Sequence, residues 1–144
     1  ARMEKGFVHW GHDVGPEDNL FQAGLSWAAK PDVSSFIGIN GFKEQLAAKR
    51  TDRRLVQFKL DDKDAMLFHN EPIVMDGEIV GYLTSGMYGH AVGSAIGMGY
   101  VNSPDLSPIR LSKATFEIEI ALKRYSAQAS LQGFYDPKGL RPKA

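Results

Sequence analysis

The sequence contains no cysteine, which removes disulfides, thiolate metal sites and cysteine nucleophiles together and fits a reducing compartment. Net charge is also missing, because Lys+Arg and Asp+Glu are both 17. A polyanion such as DNA is bound through an excess of Lys and Arg, so no nucleic-acid partner is expected. No apolar run approaches the ~18 residues from which a membrane helix is read, and no charged-then-apolar leader opens the chain. The expectation is a soluble, cytoplasmic protein with no membrane partner. Repeats and low-complexity tracts are absent. So is an initiator Met: the chain starts at Ala1-Arg2, inside a stretch of mixed charge, which points to a piece of a longer protein.

What is present is 144 residues, 43% hydrophobic and 24% charged, enough to bury one core, or one core and a small appendage. From Arg53 onward the dominant period is two, the mark of half-buried strands. In "ATFEIEIALKRYSAQASL", Phe116, Ile118 and Ile120 alternate with Glu117 and Glu119, and Tyr125, Ala127, Ala129 and Leu131 alternate again, so the spacing predicts a hairpin turning near Leu122-Lys123. Asp76-Gly77, between two apolar runs, predicts a second hairpin. "RRLVQFKL" (Arg53 to Leu60) and "SAIGMGYV" (Ser94 to Val101) supply further strands, and Gly81, Gly97 and Gly99 suit the coiling of a small closed barrel. Before Thr51-Asp52 the pattern differs. A helix is predicted over roughly Asn40 to Lys49, with Asn40 as its N-cap and Phe42 and Leu46 on one face. A short strand is expected around Gly24 to Ala28, the rest being loop. The fold class that follows is mainly β, a short α+β N-terminal segment leading into a six-stranded barrel or a sandwich.

The densest chemistry lies in "EKGFVHWGHDV". His9, His12 and Asp13 are ligand types, but Gly11 and the Gly15-Pro16 break argue against one continuous helix, and zincin motifs space their histidines by four around a Glu. A His/Asp metal-dependent hydrolase therefore remains an alternative, set against a surface or capping role for both histidines. Ser85 and His90 offer a Ser-His-Asp reading, although "YLTSGMYG" lacks the G-x-S-x-G elbow. "SGMYGHAVGSAIGMG" ends without Gly-Lys-Ser/Thr and reads as turn and close strand packing. "DDKDA" reads as a solvated loop. Phe7, Trp10 and Trp27 read as core aromatics, one of which can line a flat pocket.

The linked stretches "RMEKGFVHWGHDV", "EDNLFQAGLSWAAK", "SFIGINGF", "GEIVGYLTSGMYGHAVGSAIGMGYV" and "RYSAQASLQGFYDPKGLR" resemble, in order, the aminomethyltransferase family, the T-protein of the glycine cleavage system. "EKGFVHWGHD" with "TSGMYGHAVG" is especially similar to the folate-binding halves fused behind flavin domains in dimethylglycine and sarcosine dehydrogenase-like proteins. The resemblance implies that residues 1–52 end a folate-binding domain and that residues 53–144 form an antiparallel barrel of aminomethyltransferase type. It further implies tetrahydrofolate as cofactor, a small one-carbon donor, an upstream domain of the same chain as partner and room for an FAD domain beyond it. Its motifs carry folate-binding roles onto Arg2, Glu4 and Trp10, with Arg141 a candidate for the folate's acidic tail. Glu4 would either bond a ring N–H or pair with Arg2 or Lys5. Stacking on Trp10 and a guanidinium fork on a carboxylate are physically apt for such a ligand. Asn19-Leu20-Phe21-Gln22 stands where the family commonly has Thr-Pro-x-Glu, so an acid is replaced by an amide. The family's catalytic aspartate lies upstream, which leaves no catalytic or metal residue expected here and predicts a chain inactive by itself. The competing expectation is a stand-alone barrel that binds a partner without chemistry.

Overall fold

The computed structural model describes residues 1–30, 36–48 and 52–141. Six strands form a closed antiparallel barrel: β1 (Arg53–Leu60), β2 (Pro72–Met75), β3 (Glu78–Gly89), β4 (Ser94–Asn102), β5 (Phe116–Ile120) and β6 (Lys123–Ser130), in the order β1-β4-β3-β2-β5-β6. The first strand pairs with both β4 and β6, which closes the ring and leaves no sheet edge. Inside, Val56, Phe58 and Leu60 of β1 meet Ile73, Leu83, Val101, Phe116 and Ile118, with Leu67, Leu106 and Leu111 from the connections sealing the ends. Each such side chain contributes about 1.5–3 kcal/mol on burial.

Two glycines let the barrel close. Strands β3 and β4 pair Leu83 with Gly99 and Gly81 with Val101. A Cβ on Gly81 would run into the Tyr100 carbonyl, and one on Gly99 into the Tyr82 carbonyl, so both strands need bare backbone there.

The Asp76-Gly77 turn joins β2 to β3 with both residues at positive φ, as expected for a type I′ hairpin. The β5–β6 turn is one residue earlier than predicted. Ala121 and Leu122 take φ of 48° and 67°, a left-handed pair that neither residue favours, held because the register of Ile120 opposite Lys123 leaves only two residues to reverse the chain.

Among the described residues three short α-helices lie outside the barrel: α1 (Arg2–Lys5), α2 (Ile39–Ala48) and α3 (Pro108–Lys113). Helix α3 starts on a Ser107 cap whose hydroxyl accepts the Arg110 amide at 3.3 Å, with Pro108 in its first turn. The predicted helix begins one residue before Asn40, at Ile39; the Phe42 amide donates to the Gly38 carbonyl at 3.0 Å, which puts Asn40 inside the first turn and not at the cap. Lys49, its expected end, lies outside the described residues. Gly24 to Ala28 form no strand: Ser26–Ala28 is a turn of 3-10 helix, because Gly24 sits at φ 71° and reverses the chain. No helix among the described residues is long and apolar enough to cross a membrane.

Eight consecutive residues of β4, Ser94 to Val101, are buried. A strand with only its inner face covered would alternate, so something covers the outer face. That cover is α1: Met3 packs on Ile96 and Met98, with Val8, Leu55, Val92 and Phe134 around them. The N-terminal segment is thereby laid along the outside wall of the barrel.

Candidate functional site

Docking the N-terminal segment brings its charged residues onto β3, where a bulge receives them. Leu83 pairs with Gly99 and Ser85 with Met98, leaving Thr84 as the extra residue. A bulge breaks the up-down alternation, and here Thr84 and Ser85 both turn their hydroxyls to one carboxylate. Thr84 donates to Asp13 Oδ1 at 2.6 Å and Ser85 to the same oxygen at 2.7 Å. Oδ2 accepts Arg2 Nη1 at 2.6 Å and the His9 amide at 2.8 Å. Four donors fill the four lone-pair sites of the carboxylate. Burial alone would raise the Asp13 pKa, but the hydrogen bonds from Thr84, Ser85, His9 and Arg2 outweigh it and hold the acid below its ordinary value.

Arg2 is fixed on its other sides as well, donating Nη1 to the Phe7 carbonyl at 2.9 Å and Nη2 to Ser85 at 3.1 Å. Two of its five N–H groups, on Nε and Nη2, keep no partner among the described residues. Arg2 lines a cleft of about 200 Å³ together with His9, His12, His69, Phe68 and Ser85, among others.

Glu4 points to the other end of β3. Its Oε1 accepts the Ala91 amide at 2.6 Å, and its carboxyl is held below the ordinary value chiefly by that bond, against burial, with the Val92 amide adding to it. The carboxylate thus organises the Gly89–Gly93 turn. The neighbouring Lys5 pairs with Asp136 at 2.8 Å, while the Tyr135 amide donates to the Glu4 carbonyl at 3.0 Å. Gly133 is needed at this crossing, since a Cβ would strike the Lys5 backbone. Between this tail, β1 and residues 5–8 and 23–27 lies a second cavity of about 590 Å³, walled by Phe7, Trp27, Leu55, Gln57 and Leu131, among others. Arg53 closes the far side of the seam. It pairs with Asp18 at 2.5 Å and lies over the Tyr100 ring at 3.7 Å.

Arg2, His9, His12 and Ser85 meet at the smaller cleft, but the four residues given folate roles do not converge on one point. Arg2 lines the smaller cleft, and Glu4 is turned toward the 89–93 turn. Trp10 is 69% exposed, its backbone bridged to Val14. Arg141 lies on the tail, donating to the Tyr135 hydroxyl at 2.8 Å. Phe7 and Trp27 are exposed too, Trp27 at 78%; none of the three aromatics is in the core. His9 and His12 stack with ring centroids 5.2 Å apart, and among the described residues no group of three or more His, Cys, Asp and Glu side chains could hold a metal ion. The Ser-His-Asp reading fails on geometry. Asp13 bonds Ser85 directly, with no imidazole between them, and His90 packs edge-on to Tyr88 at 5.3 Å. Asp13 and Ser85 stood in the sequence only as a candidate metal ligand and a candidate nucleophile, and neither their mutual bond nor Thr84 beside them was read there. The signal for Thr84 and Ser85 together was two adjacent hydroxyl residues, "TS", where strict alternation would put only one on each face.

Comparison with known proteins agrees with this architecture. Residues 53–136 match the family model described as the glycine cleavage T-protein C-terminal barrel domain. The chain is 38% identical to 4-methylaminobutanoate oxidase (formaldehyde-forming) of Paenarthrobacter nicotinovorans over 97% of its own length and 16% of that protein's. It is 34% identical to human mitochondrial sarcosine dehydrogenase over 98% of its length and 16% of that protein's. An aminomethyltransferase of Halothermothrix orenii is 36% identical over 74% of this chain and 29% of its own. The chain therefore spans about a sixth of the length of the first two relatives. In fold, it superposes on the crystal structure of glycine cleavage system aminomethyltransferase T from Bartonella henselae with a TM-score of 0.77, at 22% identity, over 94% of this chain and 37% of that one. With more than half of its residues in the matched barrel, the chain belongs to the glycine cleavage T-protein family through its C-terminal barrel domain.

Proposed function

We propose that this chain is the C-terminal portion of a tetrahydrofolate-dependent one-carbon transferase, residues 1–52 ending the folate-binding domain and residues 53–144 forming the barrel behind it, and that it has no transferase activity alone. The observation that carries the reading is the extent of the likeness: nearly the whole chain aligns, at 34–38% identity, with about a sixth of two enzymes whose names specify oxidation of N-methyl amines. In such a protein the donor would be an N-methyl or aminomethyl compound, oxidised by an FAD domain upstream, and the folate would take up the carbon at N5.

The residues present fit one edge of such a ligand. Arg2 lines a cleft and has two N–H groups without a partner among the described residues, and Trp10 is an exposed aromatic, apt for a carboxylate and a flat heterocycle. Glu4 serves that edge by holding the 89–93 turn, and Arg141 stays available at the tail for a folate's acidic end. The buried carboxylate behind the cleft, Asp13, is saturated by four donors and serves as a structural anchor, not as a proton acceptor. The test is an assay of the purified chain with formaldehyde and tetrahydrofolate, run beside the longer polypeptide of its source cell. The expected result is methylene-tetrahydrofolate formation above the spontaneous condensation of the two reagents by the longer protein only. Turnover by the chain alone would overturn the reading, as would a native polypeptide no longer than this one.

A further inference from the structure

Helix α2 has little of the described fold to lean on. Of its 10 residues only Phe42 is buried; Ile39 is half-buried and Leu46 is 43% exposed. These three recur at intervals of three and four and so share one face, and burial along that face runs out before Leu46. The anchor is aromatic: the Phe42 ring stacks on Phe21 with centroids 5.2 Å apart and meets Phe36 at 6.3 Å. A helix this short is marginal in water by itself, and Asn40 and Gly41 in its first turn lower its propensity further. Beside it two grooves, of about 380 and 370 Å³, share the wall made by Leu20 and Phe36. Ile37, which lines the first of them, is fully exposed. Open grooves next to a half-covered apolar stripe mark a surface that another element covers.

We propose that the stripe of Ile39, Phe42 and Leu46, with the two grooves beside it, is the seat of an apolar helix or strand face from the upstream part of the same polypeptide. The inference rests on the reading of this chain as a C-terminal portion, and it adds where the remaining part sits and what kind of contact it makes. Three observations favour this occupant over a second copy. The seat lies within residues 16–46, outside the barrel matched at 53–136, whose closed sheet has no edge to offer. Relatives at 34–38% identity align with this whole region through only 16% of their own length, so such proteins have ample further chain to cover it in cis. A stable dimer uses roughly 20–30 residues a side, far more than the few side chains of this seat. A tethered element needs fewer contacts, because its effective concentration is high and little freedom remains to be lost on docking. The helix carries one charge of each sign, Lys43 and Glu44, both exposed, which leaves apolar burial as the force that seats the partner.

The experiment compares hydrogen exchange at residues 43–48 in the chain of 144 residues and in the longer polypeptide of its source cell, each at two protein concentrations. Exchange is expected to be about 100-fold slower or more in the longer protein, with the chain alone little protected at either concentration. Leu46→Asp should abolish that difference and lower the melting temperature of the longer protein by several degrees, while leaving that of the chain alone unchanged. Glu44→Lys, on the opposite side of the helix, should be silent in both. Equal exchange in the two proteins, or a Leu46→Asp form of the longer one that behaves as its parent, would overturn the proposal. Either result would leave the one-carbon transfer reading intact, since methylene-tetrahydrofolate formation tests that separately. Protection that rises with the concentration of the chain alone would also overturn it, in favour of a second copy. A native polypeptide no longer than this chain would remove both.

Discussion

The two faces of β4 are held by different physics. On the inner face Ala95 and Val101 join a cluster of thirteen buried apolar side chains, where adhesion grows with area and needs little direction. On the outer face the buried apolar cluster among the described residues is Met3, Ile96 and Met98, and the seam is completed by ionised groups: Asp13 with Arg2, Glu4 with the Ala91 amide, Lys5 with Asp136, Arg53 with Asp18. The first arrangement makes a barrel that closes on burial alone. The second fixes where one segment lies on that barrel, and makes the docking sensitive to charge.

Substitutions should separate the two faces by size of effect. The largest is expected from Gly81→Val, because the new side chain meets the Tyr100 carbonyl across the β3–β4 pair; soluble, cooperatively melting protein from this variant would show that the barrel can shift its register. Phe58→Ala should cost about 3–5 kcal/mol in chemical denaturation, a cavity in the apolar interior, and should lower the stability of both faces together. Asp13→Asn should cost about 2–3 kcal/mol, less than a sealed ion pair because Arg2 is partly exposed. That loss should appear in hydrogen exchange at the His9 and Ala91 amides while the β1 amides keep their protection. The smallest effect is a gain: Leu122→Gly relieves a left-handed φ of 67° at an exposed side chain, adding about 0.5 kcal/mol after glycine's larger unfolded entropy is counted, and it should leave the seam unchanged.

The barrel was legible because its determinants are local. The bounds of "RRLVQFKL" coincide with β1, and Asp76-Gly77 announces its turn by residue type. The β5–β6 turn was displaced by one residue because Ala121-Leu122 carries no turn chemistry; strand register imposes it. The N-terminal segment was far less legible. Residues 1–30 have no period because their order comes from partners distant in sequence: Asp13 reaches Thr84 and Ser85, Glu4 reaches Ala91, Lys5 reaches Asp136. The exposure of Phe7, Trp10 and Trp27 defeats composition for a related reason, since large aromatics belong in a core only when the chain supplies something to cover them. The resemblance to aminomethyltransferases carried family and barrel together, yet no motif indicated that Asp13 would be consumed in holding Arg2.

Acid is the most direct probe of the difference between the faces. Asp13, Glu4 and Asp136 all have folded pKa values below their ordinary ones, Asp136 through Lys5 first and then the Leu140 and Arg141 amides. A depressed carboxylate contributes stability that is fully present above its unfolded pKa and is lost as pH falls through the folded one, so the seam should weaken from the ordinary 3.8 of aspartate and 4.5 of glutamate downward. Among the described residues the only buried acids are Glu4 and Asp13, both in the N-terminal segment. The decisive measurement is 1H–15N NMR through this range, comparing the seam amides of His9, Ala91 and Tyr135 with those of Val56 and Phe58 in β1. The prediction is that the seam resonances lose their folded positions at a higher pH than the barrel's. A single transition shared by both sets would contradict it, and would mean that the N-terminal segment and the barrel are one cooperative unit.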